Sequence, residues 1–383
     1  MPEDKVESNN LESNLIKRFS NVKNYYRTNN LKYKRDRLLA DFSKDKAKEF
    51  IKEYITVGGK EKLFDFNFIQ EYREKGKHQH SVALYFLGIY FKDLVEKKIK
   101  NKIKAKYKQS YKDKTFSYIW FLASLFHDTA SVIESEKQIN IRRNNLDLDC
   151  YLDEYNIRYN VFEHKCLNDE LYTYPQNIVK NYFKYKLNKR REIDHGILGG
   201  HLLFDKLIKN YKDAYEDYNG LSTNDYDDFI INGLHWSSTH HNYYAYAAHA
   251  IIEHNMWFAP NEEYKKIYKK YGLNTLISPP AKKICIKENP LLFYLGLFDT
   301  IEPLKPFLEK GNAEANEILK NIDISVNNGN IKISYTEKLK TYTEEYEKWI
   351  DNIYSLKNWL ELKISPKKQD VQNKHYPIEI IIN

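Results

Sequence analysis

The chain has 383 residues, which is more than most single domains contain, so we expect one large domain and a smaller one. Its three cysteines form no CxxC pair or other zinc-like cluster and fit a reducing cytoplasm, and no apolar stretch approaches a signal peptide core or membrane span. The net charge of +8 suits a polyanionic partner, but 53 acidic residues are interspersed among 61 basic ones, which favours a solvated surface of mixed charge.

The first third of the chain predicts a polar arm followed by helices. Residues 1–40 are rich in Asn, Lys and Arg and predict a weakly ordered arm. From residue 41 onward apolar residues recur every three or four positions, which predicts amphipathic helices. One such series begins at Val82 and predicts a long helix that continues into the lysine-rich segment 92–114. We interpret these lysines as a solvated helix face, although they would also suit a phosphate backbone. The apolar residues that would anchor the opposite face are Leu94, Val95, Ile99 and Ile103.

The middle of the chain alternates between apolar helices and a polar segment. The continuous apolar run from Phe116 to Phe126 predicts a buried helix, which brings His127 and Asp128 into the interior. Residues 132–190 are more polar and less periodic, so we expect an insertion over one face of the helical core. Helical spacing returns in three later segments, which are 197–203, 245–252 and 291–297.

The last segment predicts a small α+β unit at residues 311–383. Apolar residues alternate over 322–326 and again over 331–335, and the turn dipeptide Asn328-Gly329 lies between them, which predicts a β-hairpin. A helix over about 336–358 and two short strands, LELKI and IEIII, complete the unit. The predicted fold is therefore mostly α-helical with a small C-terminal α+β unit, and the boundary lies near 309–312.

The dipeptide His127-Asp128 is the first candidate for chemistry. Burying an ionised carboxylate beside an imidazole is costly unless a cation compensates, and a metal ion would do so. Such a dipeptide alone is a weak signal, since a hydrogen-bonded core histidine is more common. Four further residues, however, are also polar groups at the edges of apolar runs or within them, and they suggest convergence on one centre: His80, His195, His254 and Asp299. Imidazoles and carboxylates without thiolates suit Fe, Mn, Zn, Co or Ni.

The order of these residues resembles the HD superfamily of metal-dependent phosphohydrolases, which share a helical core. The resemblance covers about residues 76–310 and rests on the segments HQHSVALYFLG, SLFHDTA, DHGILGG, AHAIIEHN and FYLGLFDTIEP. It implies that residues 41–310 form an HD-type domain that binds two divalent transition metal ions.

The resemblance also implies a role for each residue. His80, His127, Asp128 and Asp299 would hold one ion, and Asp128 would bridge to a second ion held by His195 and His254. A hydroxide between the ions would attack the phosphoester, with Asp128 and His127 at the catalytic centre.

The fourth histidine of the pattern has two candidates. The doublet His240-His241 competes with His254, because such doublets are ligands in HD-GYP phosphodiesterases and in the HD nuclease module of CRISPR-associated helicases. We favour His254, which ends a buried-looking helix as the comparable ligand does in many members. The doublet would then face the substrate or lie on the surface. We interpret three other histidines as structural or surface residues, namely His201, His235 and His249.

Two departures from the family pattern affect the substrate. Many members carry a lysine three positions beyond the Asp, but here that position is Ser131, and the GYP motif is absent. Phosphate contacts must then come from other basic residues, for which the candidates are Arg142, Arg143, Lys189, Arg190 and Arg191.

Three functions therefore remain open. The first is hydrolysis of a phosphate monoester or diester of a nucleotide-like small molecule. The second is a metal-dependent nuclease on single-stranded DNA or RNA, for which the lysine-rich segment and the run KLNKRR would bind the strand. The third is a non-catalytic regulatory module, which the complete set of candidate ligands disfavours. The oligomeric state has no signal in the sequence.

Overall fold

A computed structural model describes residues 77–99, 115–131, 133, 147–164, 172–219, 228–231, 234–237, 240–278, 282–308, 315–327, 329–373 and 377–382. The α-helices of these residues are α1 (Lys77–Tyr90), α2 (Thr115–Phe126), α3 (Leu148–Glu154), α4 (Gln176–Tyr185), α5 (His195–Asn219), α6 (His240–Glu253), α7 (Glu262–Lys270), α8 (Pro290–Ile301), α9 (Leu304–Leu308), α10 (Ala315–Lys320), α11 (Thr343–Ser355) and α12 (Lys368–Asn373). The strands are β1 (Asp228–Ile231), β2 (Leu234–Ser237), β3 (Ile322–Asn327), β4 (Asn330–Tyr335), β5 (Leu362–Ser365) and β6 (Ile378–Ile382). The predicted mostly helical fold with a small C-terminal α+β unit is confirmed, and the strands of that unit form an antiparallel sheet.

The helical part is built around α2 and α6. Helix α6 packs along α5, α2 packs on both α1 and α6, and α8 contacts α1, α2 and α6. The described side chains of α2 are all buried, as its continuous apolar run predicted. Aromatic rings fill much of the interior, and the largest fully buried ones include Trp120, Tyr182 and Tyr294. One core therefore holds the first turns of α1 and α5 and the last turns of α2, α6 and α8.

The C-terminal residues form a four-stranded antiparallel sheet with the order β3-β4-β6-β5. Strands β3 and β4 are the predicted hairpin, with Asn327 opposite Asn330 and Gly329 at φ 82°, where the absence of a Cβ relieves strain. Helix α11 packs on α8 and α9, and one hydrophobic cluster includes residues from both parts of the chain. The predicted domain boundary, 309–312, lies outside the described residues.

Two local predictions differ from the structure. The long helix predicted from Val82 is wrong at Phe91, where the backbone leaves the helical region (φ −101°, ψ 17°) and a 3₁₀ turn follows at Lys92–Leu94. The Phe91 ring stacks on Phe298 with 5.5 Å between centroids, so core packing outweighs the helix. The antiparallel ribbon of β1 and β2 was not predicted from the sequence.

Several predicted segments are described only in part. The insertion at 132–190 contains α3, a 3₁₀ turn at Val161–Glu163, α4 and a π-helical turn at Lys186–Arg190. Its residues Arg142 and Arg143 lie outside the described residues, as do the arm at 1–40 and the lysine-rich segment beyond residue 99. In the part of the chain that the structure describes, no helix is long and apolar enough to cross a membrane.

Candidate metal centre

Three helices bring His80, His127 and Asp299 together. His80 lies in the first turn of α1, His127 directly follows α2, and Asp299 lies in the last turn of α8. His80 Nε2 is 2.9 Å from Asp299 Oδ1, His127 Nε2 is 3.1 Å from the same oxygen, and the two Nε2 atoms are 3.3 Å apart. All three residues are buried, and their atoms form one potential metal-binding group.

The Nδ1 atoms of three histidines each contact a group that can only accept a hydrogen bond. His80 Nδ1 donates to Glu302 Oε2 at 2.6 Å, His127 Nδ1 to the Ser124 carbonyl at 2.8 Å, and His254 Nδ1 to the Ile251 carbonyl at 2.6 Å. The proton of each neutral ring therefore lies on Nδ1, and Nε2 carries a lone pair. Hydrogen bonds of this kind orient metal-ligating histidines.

Two facing lone pairs beside a carboxylate repel one another unless a positive charge lies between them. Burial lowers the pKa of His80, but its contacts with Asp299 and Glu302 outweigh burial and raise the pKa above its ordinary value. Burial by itself would raise the pKa of Asp299, but the charge of Lys305 and the contacts with His127 and His80 hold it well below its usual range. The group therefore attracts a cation, which is either a proton on His80 or a metal ion.

A second group consists of His127, Asp128 and His254, all of them buried. Asp128 Oδ1 is 3.6 Å from His127 Nε2 and 3.1 Å from His195 Nε2. His254 Nε2 has no hydrogen-bond partner among the described residues. Burial and the neighbouring His127 lower the pKa of His254 to about 3, so its ring is neutral and available as a ligand at pH 7.

Close packing of α5 on α6 brings His195 to His254. Asp194 accepts a hydrogen bond from the Ile197 backbone at 2.9 Å and fixes the start of α5. A Cβ at Gly196 would lie 2.8 Å from the Ile251 carbonyl oxygen, and one at Gly200 would lie 2.6 Å from the Ala248 carbonyl oxygen. The two ring centroids, of His195 and His254, are 5.6 Å apart because these glycines allow the helix backbones to approach.

The two groups share His127, whereas the family resemblance makes Asp128 the shared residue. His127 Nδ1 is engaged with Ser124, so only Nε2 is free, and one imidazole nitrogen binds one ion. His127 can therefore complete either group, but not both through the same atom.

Three neighbours of the centre were not predicted from the sequence. Glu302 contacts His80, and the Asn255 side-chain nitrogen lies 2.7 Å from His195 Nε2. Lys305 Nζ lies 2.8 and 3.0 Å from the two carboxylate oxygens of Asp299. Glu302 and Lys305 follow Asp299 in the segment DTIEPLK, but their residue types alone do not mark them as neighbours of a metal site.

The histidine doublet lies at the other end of α6 from His254. At a rise of about 1.5 Å per residue, the two positions are about 20 Å apart along the helix. His241 contacts Tyr211, with 4.4 Å between ring centroids, and its pKa is lowered to about 4 by burial first and then by His164 and Lys212. Lys189, Arg190 and Arg191 are exposed near the start of α5. The predicted substrate contacts of the doublet and of these basic residues stay predictions.

A further set of histidines, which we call the apolar histidine group, consists of His164, His201, His241 and His249. Its rings lie among aromatic side chains: Phe162 is 5.8 Å from His201 and 5.0 Å from His249 between centroids. His201 and His249 are 1% exposed, and their ring nitrogens have no hydrogen-bond partner in the described part of the chain. None of the four belongs to a potential metal-binding group of the described residues.

No protein-family model, curated protein or solved structure matches this chain. The described geometry establishes buried histidine and aspartate groups that could hold metal ions. Imidazole nitrogens and carboxylate oxygens suit divalent transition metals, and the same ligands do not distinguish one such metal from another.

Proposed function

We propose that this protein is a metal-dependent phosphohydrolase of the HD type, which hydrolyses a phosphate ester of a nucleotide-like molecule. The observation that carries the proposal is the pair of Nε2 atoms of His80 and His127, which lie 3.3 Å apart and both within 3.1 Å of Asp299 Oδ1. Anchored Nδ1 atoms hold these rings in place, and a structural core would gain nothing from that arrangement without a cation.

The residues fit two divalent ions. His80, His127 and Asp299 would hold one, and Asp128, His195 and His254 would hold the other. Such ions supply a nucleophile at neutral pH and neutralise charge on phosphoryl oxygens. The order of these six residues along the chain supports the HD type.

The side chains around the ligands have separate tasks. Glu302 holds the His80 ring through Nδ1, whereas Asn255 contacts His195 at Nε2, the nitrogen that faces Asp128. The centre reaches solvent at two of its ligands, since the side chains of His195 and Asp299 are 16% and 11% exposed while Asp128 is fully buried. Lys305 lies beside Asp299, 27% exposed, and contributes positive charge for a phosphate in place of the family lysine that is Ser131 here.

Metal analysis combined with a product screen tests the proposal. Protein purified without chelator is assayed for metal content and then incubated with mononucleotides, cyclic nucleotides and single-stranded oligonucleotides. We expect bound transition metal and hydrolysis of small phosphoesters with weak dependence on salt, since a compact pocket contacts few phosphates. Strongly salt-sensitive cleavage of oligonucleotides would replace the proposal with a nuclease, and metal-free protein without hydrolysis would contradict it.

A further inference from the structure

A cavity of about 780 Å³ lies beside the candidate metal centre and is not used by the six ligands. Its walls come from the end of α4 with the π-helical turn, from residues 257–268, from Ser278 and Lys283, and from the C-terminal residues Ser355, Asn358 and Trp359. The volume is typical of sites for ligands of nucleotide size. The C-terminal unit therefore contributes one wall.

Aromatic rings form much of this cavity. The indoles of Trp257 and Trp359 lie 4.7 Å apart between centroids, and Tyr185 and Tyr268 pack edge to face at 5.0 Å. Trp359 is fully buried, whereas Trp257 is only partly buried and leaves ring surface accessible. An accessible indole beside a packed aromatic wall suits a flat ring, such as a nucleobase.

Positive charge surrounds the rings. Four basic residues and one acidic residue, Glu262, line the cavity; the basic residues are Lys186, Arg190, Lys265 and Lys283. Glu192 lies behind the π-helical turn at 3.6 Å from both Lys186 and Arg190, and it offsets part of their charge. The Arg190 guanidinium also contacts the Tyr264 hydroxyl at 3.4 Å, so it is held at the cavity. Arginine in such a position binds phosphate by charge-assisted hydrogen bonds.

The cavity and the metal centre share a wall. The Tyr182 hydroxyl donates to the Asn255 carbonyl at 2.9 Å and accepts from the Trp257 backbone at 3.3 Å. Asn255 directly follows His254, and its side chain reaches His195. On the other side, a Cβ at Gly296 would lie 2.3 Å from the Trp359 ring, so that ring lies on the backbone of α8 one turn before Asp299. The cavity wall is thus hydrogen-bonded to the segment that follows His254 and packed on the helix that carries Asp299, although none of the six ligands lines the cavity.

We propose that this cavity binds a nucleotide, with its base against Trp257 and phosphate oxygens at Arg190, and delivers it as substrate to the neighbouring centre. The claim that the bound nucleotide is a substrate rests on the proposed function, whereas binding in the cavity needs no metal. It also assigns a role to the C-terminal unit, which closes the cavity with Trp359.

Calorimetric titration of wild-type protein in excess EDTA tests the site without turnover. The probes are AMP, adenosine and inorganic phosphate. We expect AMP to bind at least about tenfold more tightly than either fragment, because ring and phosphate contacts add. Arg190→Ala should weaken AMP binding about tenfold or more and leave adenosine unchanged, whereas Trp257→Ala should weaken both.

Lys266→Ala is the matched control, since Lys266 is exposed on the same helix as Lys265 and does not line the cavity. It removes the same charge as Arg190→Ala and should leave AMP binding unchanged. Arg190 is 43% exposed at its side chain, so its loss should leave the circular dichroism spectrum intact even if Trp257→Ala alters folding.

The results separate the cavity from the metal centre. AMP binding no tighter than that of its fragments, or equal effects of Arg190→Ala and Lys266→Ala, would overturn the cavity assignment even in a protein that hydrolyses phosphoesters. AMP binding with the expected variant pattern in a protein that takes up no metal would overturn the substrate role and support a nucleotide site.

Discussion

The candidate metal centre and the apolar histidine group each contain four histidines, most of them buried. In the first, Nδ1 atoms donate to fixed acceptors and Nε2 atoms face carboxylates. In the second, His201 and His249 lie among aromatic rings without hydrogen-bond partners among the described residues. Burial lowers the pKa of His254 and of His249 alike, to about 3 in each case. Neither burial nor a low pKa therefore identifies a ligand; oriented Nδ1 atoms and nearby carboxylates do.

Replacing one member of each group gives the largest expected contrast. Asp128→Ala should lose at least one ion per chain and reduce hydrolysis roughly a thousandfold or more, because the carboxylate is fully buried among three imidazoles and would hold one of the two proposed cations. His201→Phe should retain both properties. Metal content and product formation are measured on each variant, and wild-type activity in Asp128→Ala would end the proposed mechanism.

A narrower contrast lies within α6, which carries members of both groups. His254→Ala should lose at least one ion per chain and weaken metal affinity by more than about a hundredfold, since even partners behind the ligands contribute about 10–100-fold. The double variant His240→Ala, His241→Ala should keep its full metal content. Elemental analysis after dialysis distinguishes them, and the reverse result would move the second ion to the doublet.

Glu302→Gln sharpens the comparison at the residue that anchors His80. The amide oxygen can still accept from Nδ1, but the negative charge that favours the ring orientation is lost, so metal affinity should fall about tenfold. Asp205→Asn is a control, because Asp205 is also buried and accepts from the Arg158 and Tyr159 backbones away from the centre. Competition with a chelator measures both affinities, and equal losses would indicate a general packing effect.

The smallest expected effect concerns pH and the apolar histidine group. Burial lowers the pKa of His201 to about 4 and that of His249 to about 3, against an ordinary value of 6.5. Below about pH 6.5 the unfolded chain therefore binds protons that the folded chain does not. The free energy of unfolding then decreases as the pH is lowered from about 6.5 to the pKa of the folded state. His249→Phe should reduce this loss by about 1 kcal/mol between pH 7 and pH 5.5.

Urea unfolding in EDTA at both pH values measures that difference, since metal ligands then contribute equally to wild type and variant. An unchanged pH dependence in His249→Phe would show that the ring protonates readily in the folded protein. The group would then resemble a polar site more than a packed core.

Local patterns predicted most of the fold. Alternation and the Asn-Gly dipeptide predicted β3 and β4, and the apolar run at 116–126 predicted α2, because these signals lie within one element. The break at Phe91 was missed because it depends on Phe298, which is more than 200 positions away. The β1–β2 ribbon shows no clear alternation and was missed for that reason.

Candidate ligands could be predicted from the sequence where a polar residue interrupts or ends an apolar run. His80, His127 and Asp299 could be recognised in this way, and the structure brings them together. Glu302, Lys305 and Asn255 could not, because a polar residue at the end of a helix resembles many surface positions until its neighbour in space is known. The choice between His254 and the doublet stays a prediction, and the structure adds only that the two positions lie at opposite ends of α6.

The contact of Trp359 with Gly296 limits how this chain can be shortened or recombined. An indole that lies directly on a helix backbone leaves a gap of its own volume when it is removed, and Trp349 of α11, also fully buried, would be lost with it. A truncated chain without the final sheet would therefore uncover the helix that carries Asp299. Exchange of this segment between proteins would have to preserve the glycine and the tryptophan together, so the two positions should change as a pair during evolution.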